Sequence, residues 1–181
     1  MTRIIAGTAG GRRLRVPPKG TRPTSDRVRE ALFSALEHDP GLDGAAVLDL
    51  CAGSGALGLE ALSRGAAHAL FVESDRRAAD VLRRNVDDLG LHGALVRAGP
   101  AASVLACAAA RAYDLVLVDP PYDVPDAEVA GWLAAAAEHG WFADGATVVV
   151  ERSTGADFAW PRPLRAVRVR RYGDTAVHIG R

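Results

Sequence analysis

Cysteine is scarce in this chain of 181 residues, and aromatic residues make up only 6% of it. The two cysteines, Cys51 and Cys107, are too far apart in sequence to suggest a disulfide scaffold or a CxxC zinc site. The five histidines share no spacing typical of metal ligands. We therefore predict reduced thiols and no metal site.

Long apolar runs are also missing. No stretch approaches the roughly 18 apolar residues that span a bilayer, and the first residues lack the apolar segment of a secretory signal. With 49% hydrophobic and 24% charged residues, the composition is typical of a globular chain and excludes a disordered or fibrous one. We expect a cytoplasmic monomer with no membrane association.

An overall excess of either charge is absent, since 22 basic residues balance 22 acidic ones. The signs are nevertheless segregated. Residues 1–29 contain eight basic residues and one acidic, a net charge of +7, and residues 152–181 contain seven and two, a net charge of +5. Clustered arginines attract phosphate backbones, so the two ends predict an anionic partner. The alternative is that these arginines only solvate exposed strands.

Strand and helix patterns alternate from residue 45 onward. Short apolar strands are predicted at residues 45–50, 69–73, 94–97, 115–118 and 147–151, with helices between them, one of them at 101–111. Alternation of this kind is typical of a parallel sheet covered by helices. We predict an α/β main domain over residues 23–181, closed by an antiparallel C-terminal hairpin. Residues 1–22 are predicted as an N-terminal β-hairpin extension and loop.

A glycine-rich loop follows the first predicted strand of the main domain, in the run Asp49-Leu-Cys-Ala-Gly53-Ser-Gly55. Glycines allow a tight turn and let a ligand approach backbone N–H groups at a helix N-terminus. The next strand ends in Glu73, whose carboxylate can accept hydrogen bonds from both hydroxyls of a ribose. Taken alone, this spacing suits a dinucleotide equally well.

Two features favour S-adenosylmethionine over a dinucleotide. Asp49 precedes the glycines, where it can orient the ammonium group of the ligand, and a second motif stands at the end of the fourth parallel strand. The candidate cofactor-binding residues of these loops are Asp49, Cys51, Ala52, Gly53, Ser54, Gly55, Glu73 and Ser74.

The second motif is Asp119-Pro120-Pro121-Tyr122, which we take as the candidate catalytic segment. The two prolines stiffen the loop and remove two donors, so the carbonyl of Pro120 can point into a cleft. Asp119 and that carbonyl are two acceptors for the two N–H donors of an exocyclic amine, and Tyr122 offers a ring on which a base can stack. By itself the segment could also be a turn that stops a helix.

With these motifs the chain resembles the RsmD-type methyltransferases, which modify the N2 amine of a guanine in 16S ribosomal RNA. The resemblance covers nearly the whole chain. Its most specific block is Arg22-Pro-Thr-Ser-Asp-Arg-Val-Arg-Glu-Ala-Leu-Phe33; the others are Ile4 to Gly7 with Gly11-Arg12, Asp49 to Gly65, Asp119 to Tyr122, and Tyr172 to Thr175.

The resemblance implies a Rossmann-like class I S-adenosylmethionine-dependent methyltransferase with a seven-stranded, mostly parallel sheet. It implies that the Arg22–Asp26 segment lies close to the cofactor, with Thr24 as a candidate cofactor-binding residue, and that the N-terminal hairpin and its arginines help to hold RNA. The candidate RNA-binding residues are Arg12, Arg13, Arg15, Lys19 and Arg22. Many relatives place Asp or Asn near the adenine where this chain has Arg97-Ala-Gly-Pro-Ala-Ala-Ser103, so we assign no side chain to adenine.

The sequence thus predicts an rRNA (guanine-N2-)-methyltransferase whose substrate is 16S rRNA or the small ribosomal subunit. An amino-methyltransferase acting on adenine or cytosine in DNA is the nearest alternative, because the same motif suits those amines. An NAD-dependent oxidoreductase and an inactive RNA-binding module are more remote alternatives.

Overall fold

The computed structural model describes residues 2–18 and 24–181, which form nine strands and five helices. The strands are β1 (Thr2–Arg3), β2 (Arg13–Leu14), β3 (Ala46–Leu50), β4 (His68–Glu73), β5 (Ala94–Ala98), β6 (Tyr113–Val118), β7 (Phe142–Ser153), β8 (Ala166–Tyr172) and β9 (Thr175–Gly180). The helices are α1 (Asp26–His38), α2 (Ala56–Ser63), α3 (Arg76–Leu89), α4 (Ala101–Leu105) and α5 (Asp126–Glu138).

Seven of the strands form one sheet in the order β5-β4-β3-β6-β7-β9-β8. The first five are parallel, and the C-terminal hairpin of β8 and β9 adds two antiparallel strands beside β7. The strand order reverses between β3 and β6, where open α/β sheets have their ligand crevice. The predicted α/β architecture, with its seven-stranded sheet, is confirmed.

The sheet separates two apolar cores, because its central strands are buried on both faces. On one face, Val47, Phe71 and Leu117 of the sheet pack against α1, α2 and α3. The other face packs residues such as Leu48 with α4 and α5. The central strands read as continuous apolar runs for this reason, and their polar residues stand at their carboxyl ends.

The N-terminal hairpin is bound to α2 by buried polar contacts. The carboxylate of Glu60, which is fully buried, accepts hydrogen bonds from the backbone N–H groups of Ile5 (2.7 Å) and Ala6 (3.1 Å). Ser63 accepts a further one from the N–H of Ala9 at 2.9 Å. Ile4 lies in the same core as Phe33. The boundary that we predict at residues 22 and 23 lies outside the described residues and stays a prediction.

Two elements of the main domain differ most in length from their predictions. Helix α4 ends at Leu105 rather than at residue 111, because the chain beyond it bonds to the connection between α5 and β7. The carbonyl of Cys107 accepts from the indole of Trp141 at 2.9 Å, and the N–H of Ala109 donates to the carbonyl of His139. Strand β7 is longer than predicted, running from Phe142 to Ser153. No helix among the described residues is long and apolar enough to cross a membrane.

Candidate active site

Four carboxylates stand in a row at the carboxyl edge of the sheet. They belong to the neighbouring strands β4, β3, β6 and β7: Glu73 ends β4, Asp49 is the next-to-last residue of β3, Asp119 directly follows β6, and Glu151 lies two residues before the end of β7. Side chains alternate along a strand, and the register pairs Asp49 with Leu117. Asp119 and Glu151 directly follow the paired residues Val118 and Val150. All four therefore lie on the face that packs against α1 and α2.

A cavity of about 550 Å³ opens at the middle of this row. Both predicted loops line it, the second of them through Asp119 and Pro121, whereas Pro120 and Tyr122 are not among the lining residues. The lining residues are Val16, Pro17, Pro18, Thr24, Asp49, Cys51, Ala52, Gly53, Ser54, Ala56, Leu57, Glu73, Ser74, Asp75, Ala78, Asp119 and Pro121. None of these lining residues comes from the stretch 97–103, in which we assign no side chain to the adenine.

Asp49 lines this cavity and is almost completely buried. Its Oδ2 accepts a hydrogen bond from the N–H of Gly58 at 2.8 Å, whereas Oδ1 has no partner among the described residues. Burial raises the pKa of Asp49 to about 7, with a smaller contribution from the charge of Glu73. A buried acceptor without a partner fits a cationic ligand group. An ammonium would balance the negative charge of the carboxylate and donate a hydrogen bond to Oδ1.

Glycine is required for different reasons at the positions of the loop and of the first turn of α2. Gly55 caps α2 with a left-handed φ of +83°, and a Cβ there would lie 2.2 Å from the side chain of Leu82. A Cβ at Gly58 would lie 2.3 Å from the ring of Phe71. Gly53 has a φ of +56°, yet a Cβ there would meet no atom within 4 Å. Gly53 therefore faces open space in the cavity, where a ligand can approach the backbone.

Glu73 is fixed by two backbone donors. Its Oε2 accepts from the N–H of Gly53 at 2.7 Å and its Oε1 from the N–H of Asp75 at 2.8 Å. Each carboxylate oxygen has two lone pairs, so one on each oxygen is left for a ligand hydroxyl. Ser74 follows it and lines the cavity. The carboxylate is thus held in place for a pair of neighbouring hydroxyls, as the sequence predicts for a ribose.

Cys51 has the left-handed backbone conformation, with a φ of +59°, which is uncommon for a residue other than glycine. Its side chain packs against the core that faces α4 and α5, and it also lines the cavity. Burial raises the pKa of the thiol to about 12, with further contributions from nearby carboxylates led by Glu73. The thiol is therefore protonated at neutral pH and serves as a small packing group beside the cavity.

The Asp119–Tyr122 segment is held by Arg152, which is almost completely buried. The Nε of Arg152 donates to Oδ1 of Asp126 at 2.6 Å, and its two terminal nitrogens donate to the carbonyls of Pro121 (3.3 Å) and Val124. Tyr122 is 50% exposed, and its hydroxyl lies 3.1 Å from that of Thr175. The stiff segment thus presents Asp119 to the cavity and the ring of Tyr122 to solvent.

Thr24 joins Asp119 to Glu151. Its Oγ1 lies 2.6 Å from Oε2 of Glu151 and 3.2 Å from Oδ2 of Asp119. Burial raises the pKa of Asp119 well above its usual range, and the charge of Glu151 raises it further. Burial also raises the pKa of Glu151, against the lowering effect of its hydrogen bond with Thr24. The partly buried Asp119 and the buried Glu151 therefore share one hydroxyl beside the cavity.

Comparison with known proteins decides the family. The family described as conserved hypothetical protein 95 matches residues 2–181. The chain belongs to this family. It is 44% identical over 150 residues, 82% of this chain and 73% of the relative, to ribosomal RNA small subunit methyltransferase D of Escherichia coli strain K12. It is 37% identical over 153 residues, 82% of this chain and 77% of the relative, to the protein of the same name from Haemophilus influenzae.

A solved structure supports the same assignment. A protein of Escherichia coli described as a methyltransferase, yhhF, superposes with a TM-score of 0.85 at 36% identity, over 99% of this chain and 96% of that one. The protein is an RsmD-type methyltransferase, and its cofactor is S-adenosylmethionine. The orphaned Oδ1 of Asp49 and the open side of Gly53 fit that cofactor.

Three of the arginines that we predict to bind RNA lie on the N-terminal hairpin of this methyltransferase, shortly before Val16, which lines the cavity. Arg12 donates to the carbonyl of Asp88 at 2.6 Å, and Arg15 pairs with the Asp88 carboxylate at 2.9 Å; Arg13 is exposed. These contacts lie on the surface, where an exchange for phosphate costs little. Lys19 and Arg22 lie outside the described residues. The RNA-binding role of all five stays a prediction.

The sequence did not reveal some residues of the site. Asn85 joins the hairpin to the glycine loop, because its amide donates to the carbonyls of Arg15 (3.0 Å) and Ser54 (2.8 Å). Its position inside a polar helical run gave no signal. Glu151 did have one, since it ends a predicted strand as Asp119 follows another. Among the described residues, no group of three or more His, Cys, Asp or Glu side chains could hold a metal ion.

Proposed function

We propose that this methyltransferase modifies the exocyclic N2 amine of a guanine in the 16S ribosomal RNA of the small ribosomal subunit. The observation that carries the proposal is the single cavity shared by the glycine loop and Asp119. The substrate class is supported by the name of the Escherichia coli relative, which describes it as a ribosomal RNA small subunit methyltransferase.

The cofactor binds along the glycine loop in this proposal. Asp49 binds its ammonium group through Oδ1, and Glu73 accepts its ribose hydroxyls. The further contacts come from Thr24, Cys51, Ala52, Gly53, Ser54, Gly55 and Ser74, which line the cavity or shape the loop. When bound, S-adenosylmethionine supplies a methyl group on a sulfonium, from which a neutral thioether leaves readily.

The substrate amine binds at the other end of the cavity. Asp119 and the carbonyl of Pro120 accept its two N–H donors, which directs the nitrogen lone pair toward the donor methyl group. Arg152 keeps the loop in place by binding the carbonyl of Pro121. The ring of Tyr122, half exposed, is a surface on which the base stacks, with a contribution of about 1–3 kcal/mol. Positioning is the main catalytic contribution, because the leaving group is good.

An unpaired or extruded guanine is the form of substrate that this cavity fits. The N2 amine of a paired guanine lies at the minor-groove edge, where the walls of a cavity cannot surround it. The hairpin supports an RNA substrate, because Arg15 immediately precedes Val16 and Pro17, which line the cavity, and Arg13 stands two residues before Arg15. RNA phosphates held by these arginines would therefore lie close to the mouth of the cavity.

The test uses a tritiated methyl donor with purified 16S RNA, small subunits that lack the modification, and duplex DNA. We expect label in one or both of the ribosomal substrates, and mass spectrometry of the digested RNA should find N2-methylguanosine. Label in DNA alone, or methyl groups on adenine or cytosine amines, would contradict the proposal.

Replacement of Asp119 tests its role. Asp119→Ala is expected to lower the rate of methyl transfer below detection while the affinity for S-adenosylhomocysteine stays within about threefold of the wild-type value, because Asp119 contacts the amine rather than the cofactor's ammonium or ribose. Calorimetric titration gives the affinity, and the tritium assay gives the rate. A variant that turns over normally would remove Asp119 from the mechanism.

A further inference from the structure

The contacts of Thr24 leave a proton to be accounted for. Its hydroxyl has one hydrogen, yet Oγ1 is within hydrogen-bond distance of two carboxylates, at 2.6 Å from Glu151 and 3.2 Å from Asp119. If both carboxyl groups are ionised, one of the two contacts places two acceptors against each other. Both contacts are satisfied when one carboxyl group carries a proton, because it then donates to Oγ1.

The position of Glu151 explains how it can act without touching the substrate. Glu151 follows Val150 of β7 as Asp119 follows Val118 of β6, so the two carboxyl groups lie side by side. Asp119 and Thr24 line the cavity, whereas Glu151 is not among its lining residues. Glu151 is 8% exposed. Thr24 is therefore the connection between the acceptor that faces the substrate and a second carboxylate behind it.

We propose that Asp119, Thr24 and Glu151 form a proton relay in which Glu151 is the final acceptor of the proton that the substrate amine loses. This inference rests on the proposed methyl transfer to an amine. As the amine nitrogen bonds to the methyl carbon, the carbon–sulfur bond breaks and its electron pair goes to sulfur. The nitrogen then carries one proton too many. That proton passes to Asp119, the proton of Asp119 passes to Oγ1 of Thr24, and the hydroxyl proton of Thr24 passes to Glu151.

The relay has a defined pH dependence. The relay starts from the fully ionised pair, in which Thr24 donates to Glu151, and it ends in the singly protonated pair, in which both contacts of Oγ1 are satisfied. Burial raises the pKa of both carboxyl groups, and the charge of Glu151 raises that of Asp119 further. The other charged groups that act on Asp119 are Asp49 of β3, which raises its pKa, and Arg152 of β7, which lowers it. The rate of methyl transfer should therefore fall as the pH falls through the upper apparent pKa of the pair.

Single-turnover rates between pH 5 and 9, at saturating S-adenosylmethionine and RNA, test the relay. Glu151→Gln should lower the plateau rate by about 10- to 100-fold and move the acid limb to lower pH, because Asp119 loses a neighbouring charge. Thr24→Val should lower the plateau similarly, and the double variant should fall no further, because both changes interrupt one path. Thr24→Ser keeps the hydroxyl and should recover most of the rate.

The controls separate this role from a structural one. Asp144→Asn removes an exposed carboxylate at the other end of β7 and should leave the rate profile unchanged. A purely structural Glu151 would lower the melting temperature or the affinity for S-adenosylhomocysteine without moving the acid limb. Wild-type rates and an unchanged acid limb in Glu151→Gln would overturn the relay, as would losses that multiply in the double variant.

A titration without substrate keeps this inference distinct from the proposed function. Carboxyl carbon chemical shifts of the free protein should show Asp119 and Glu151 titrating in two coupled steps, and Glu151→Gln should lower the midpoint of Asp119. Independent titration of the two groups would overturn the relay whatever the activity. An uncoupled pair in an active enzyme contradicts the relay alone, whereas a coupled pair in a protein that methylates no RNA contradicts the proposed function.

Discussion

Asp49→Asn should make the protein more stable at alkaline pH while weakening its binding of cofactor. The pKa of Asp49 is raised from 3.8 to about 7 in the folded protein, chiefly by burial. The folded state therefore holds this proton more tightly than the unfolded chain does. Stability is lost as the pH rises between these two values, and the loss levels off above about pH 7.

The magnitude follows from the same two values. Moving the pKa of a carboxyl group from 3.8 to about 7 corresponds to a destabilisation on the order of 4 kcal/mol at pH 8. Asparagine removes the charge, and its carbonyl can still accept from the N–H of Gly58. Its amide stands where Oδ1 has no partner, and an unsatisfied buried donor costs about 1–3 kcal/mol. The variant should therefore gain on the order of 1–3 kcal/mol at pH 8.

Calorimetric melting between pH 5 and 8.5 measures the effect. For a chain of this length, 1 kcal/mol corresponds to about 2–4 °C in melting temperature. The gap between Asp49→Asn and the wild type should widen from pH 5 to about pH 7 and stay constant above it. Asp114→Asn is the matched control, because Asp114 also accepts a backbone hydrogen bond, from Ala46 at 2.8 Å, but lies exposed at the opposite end of the sheet.

Binding of S-adenosylhomocysteine, which has the same ammonium group, supplies the second half of the prediction. Loss of a charged hydrogen bond costs about 1.5–3 kcal/mol, so the dissociation constant of Asp49→Asn should rise about 10- to 100-fold at pH 8. The wild type should bind more weakly as the pH falls below about 7, because Asp49 then holds a proton. Melting curves that stay parallel over the whole pH range, or unchanged affinity in the variant, would refute the reasoning.

Three further predictions concern the loops and the RNA. Gly55→Ala should lower the free energy of unfolding by about 2–4 kcal/mol, through backbone strain and a clash with Leu82. Gly53→Ala should lower it by only about 1–2 kcal/mol but should weaken the binding of S-adenosylhomocysteine. Urea unfolding and calorimetric titration measure the two effects, and equal effects in both variants would contradict the different roles of the two glycines. Arg152→Met should lower the free energy of unfolding in urea by about 3 kcal/mol. The control Arg168→Met, on the exposed strand β8, should lower it by less than about 0.5 kcal/mol. Equal losses in the two variants would contradict the role of Arg152 in holding the loop. A plot of the logarithm of RNA affinity against the logarithm of salt concentration should have a slope near −2, which corresponds to about three neutralised phosphates, and Arg13→Ala should make this slope shallower. Fluorescence anisotropy measures the affinity, and an RNA affinity of the wild type that does not change with salt would contradict the predicted role of the arginines.

The fold could be predicted because its central strands carry an unambiguous pattern. Both faces of the sheet are buried, with Leu117 on one face and Leu48 on the other. The strands therefore appear in the sequence as short apolar runs between helical patterns. The site could be predicted in part for the same reason, since Asp49 and Asp119 interrupt such runs at their carboxyl ends. The length of α4 could not, because the bond from Trp141 to Cys107 depends on a contact distant in sequence.

Charge was the weakest guide, because a sequence does not show which arginines are paired inside the fold. Arg29 and Arg152 both count toward the basic ends of the chain, yet both are buried and bound to the aspartates Asp26 and Asp126. Neither side chain is therefore accessible to RNA phosphates. Arg152 instead fixes the loop that follows β6, a role that requires an arginine because its three nitrogens each reach a different acceptor. The surface charge available to RNA is therefore smaller than the net charge of the two ends suggests, and a modest salt dependence follows from the fold itself.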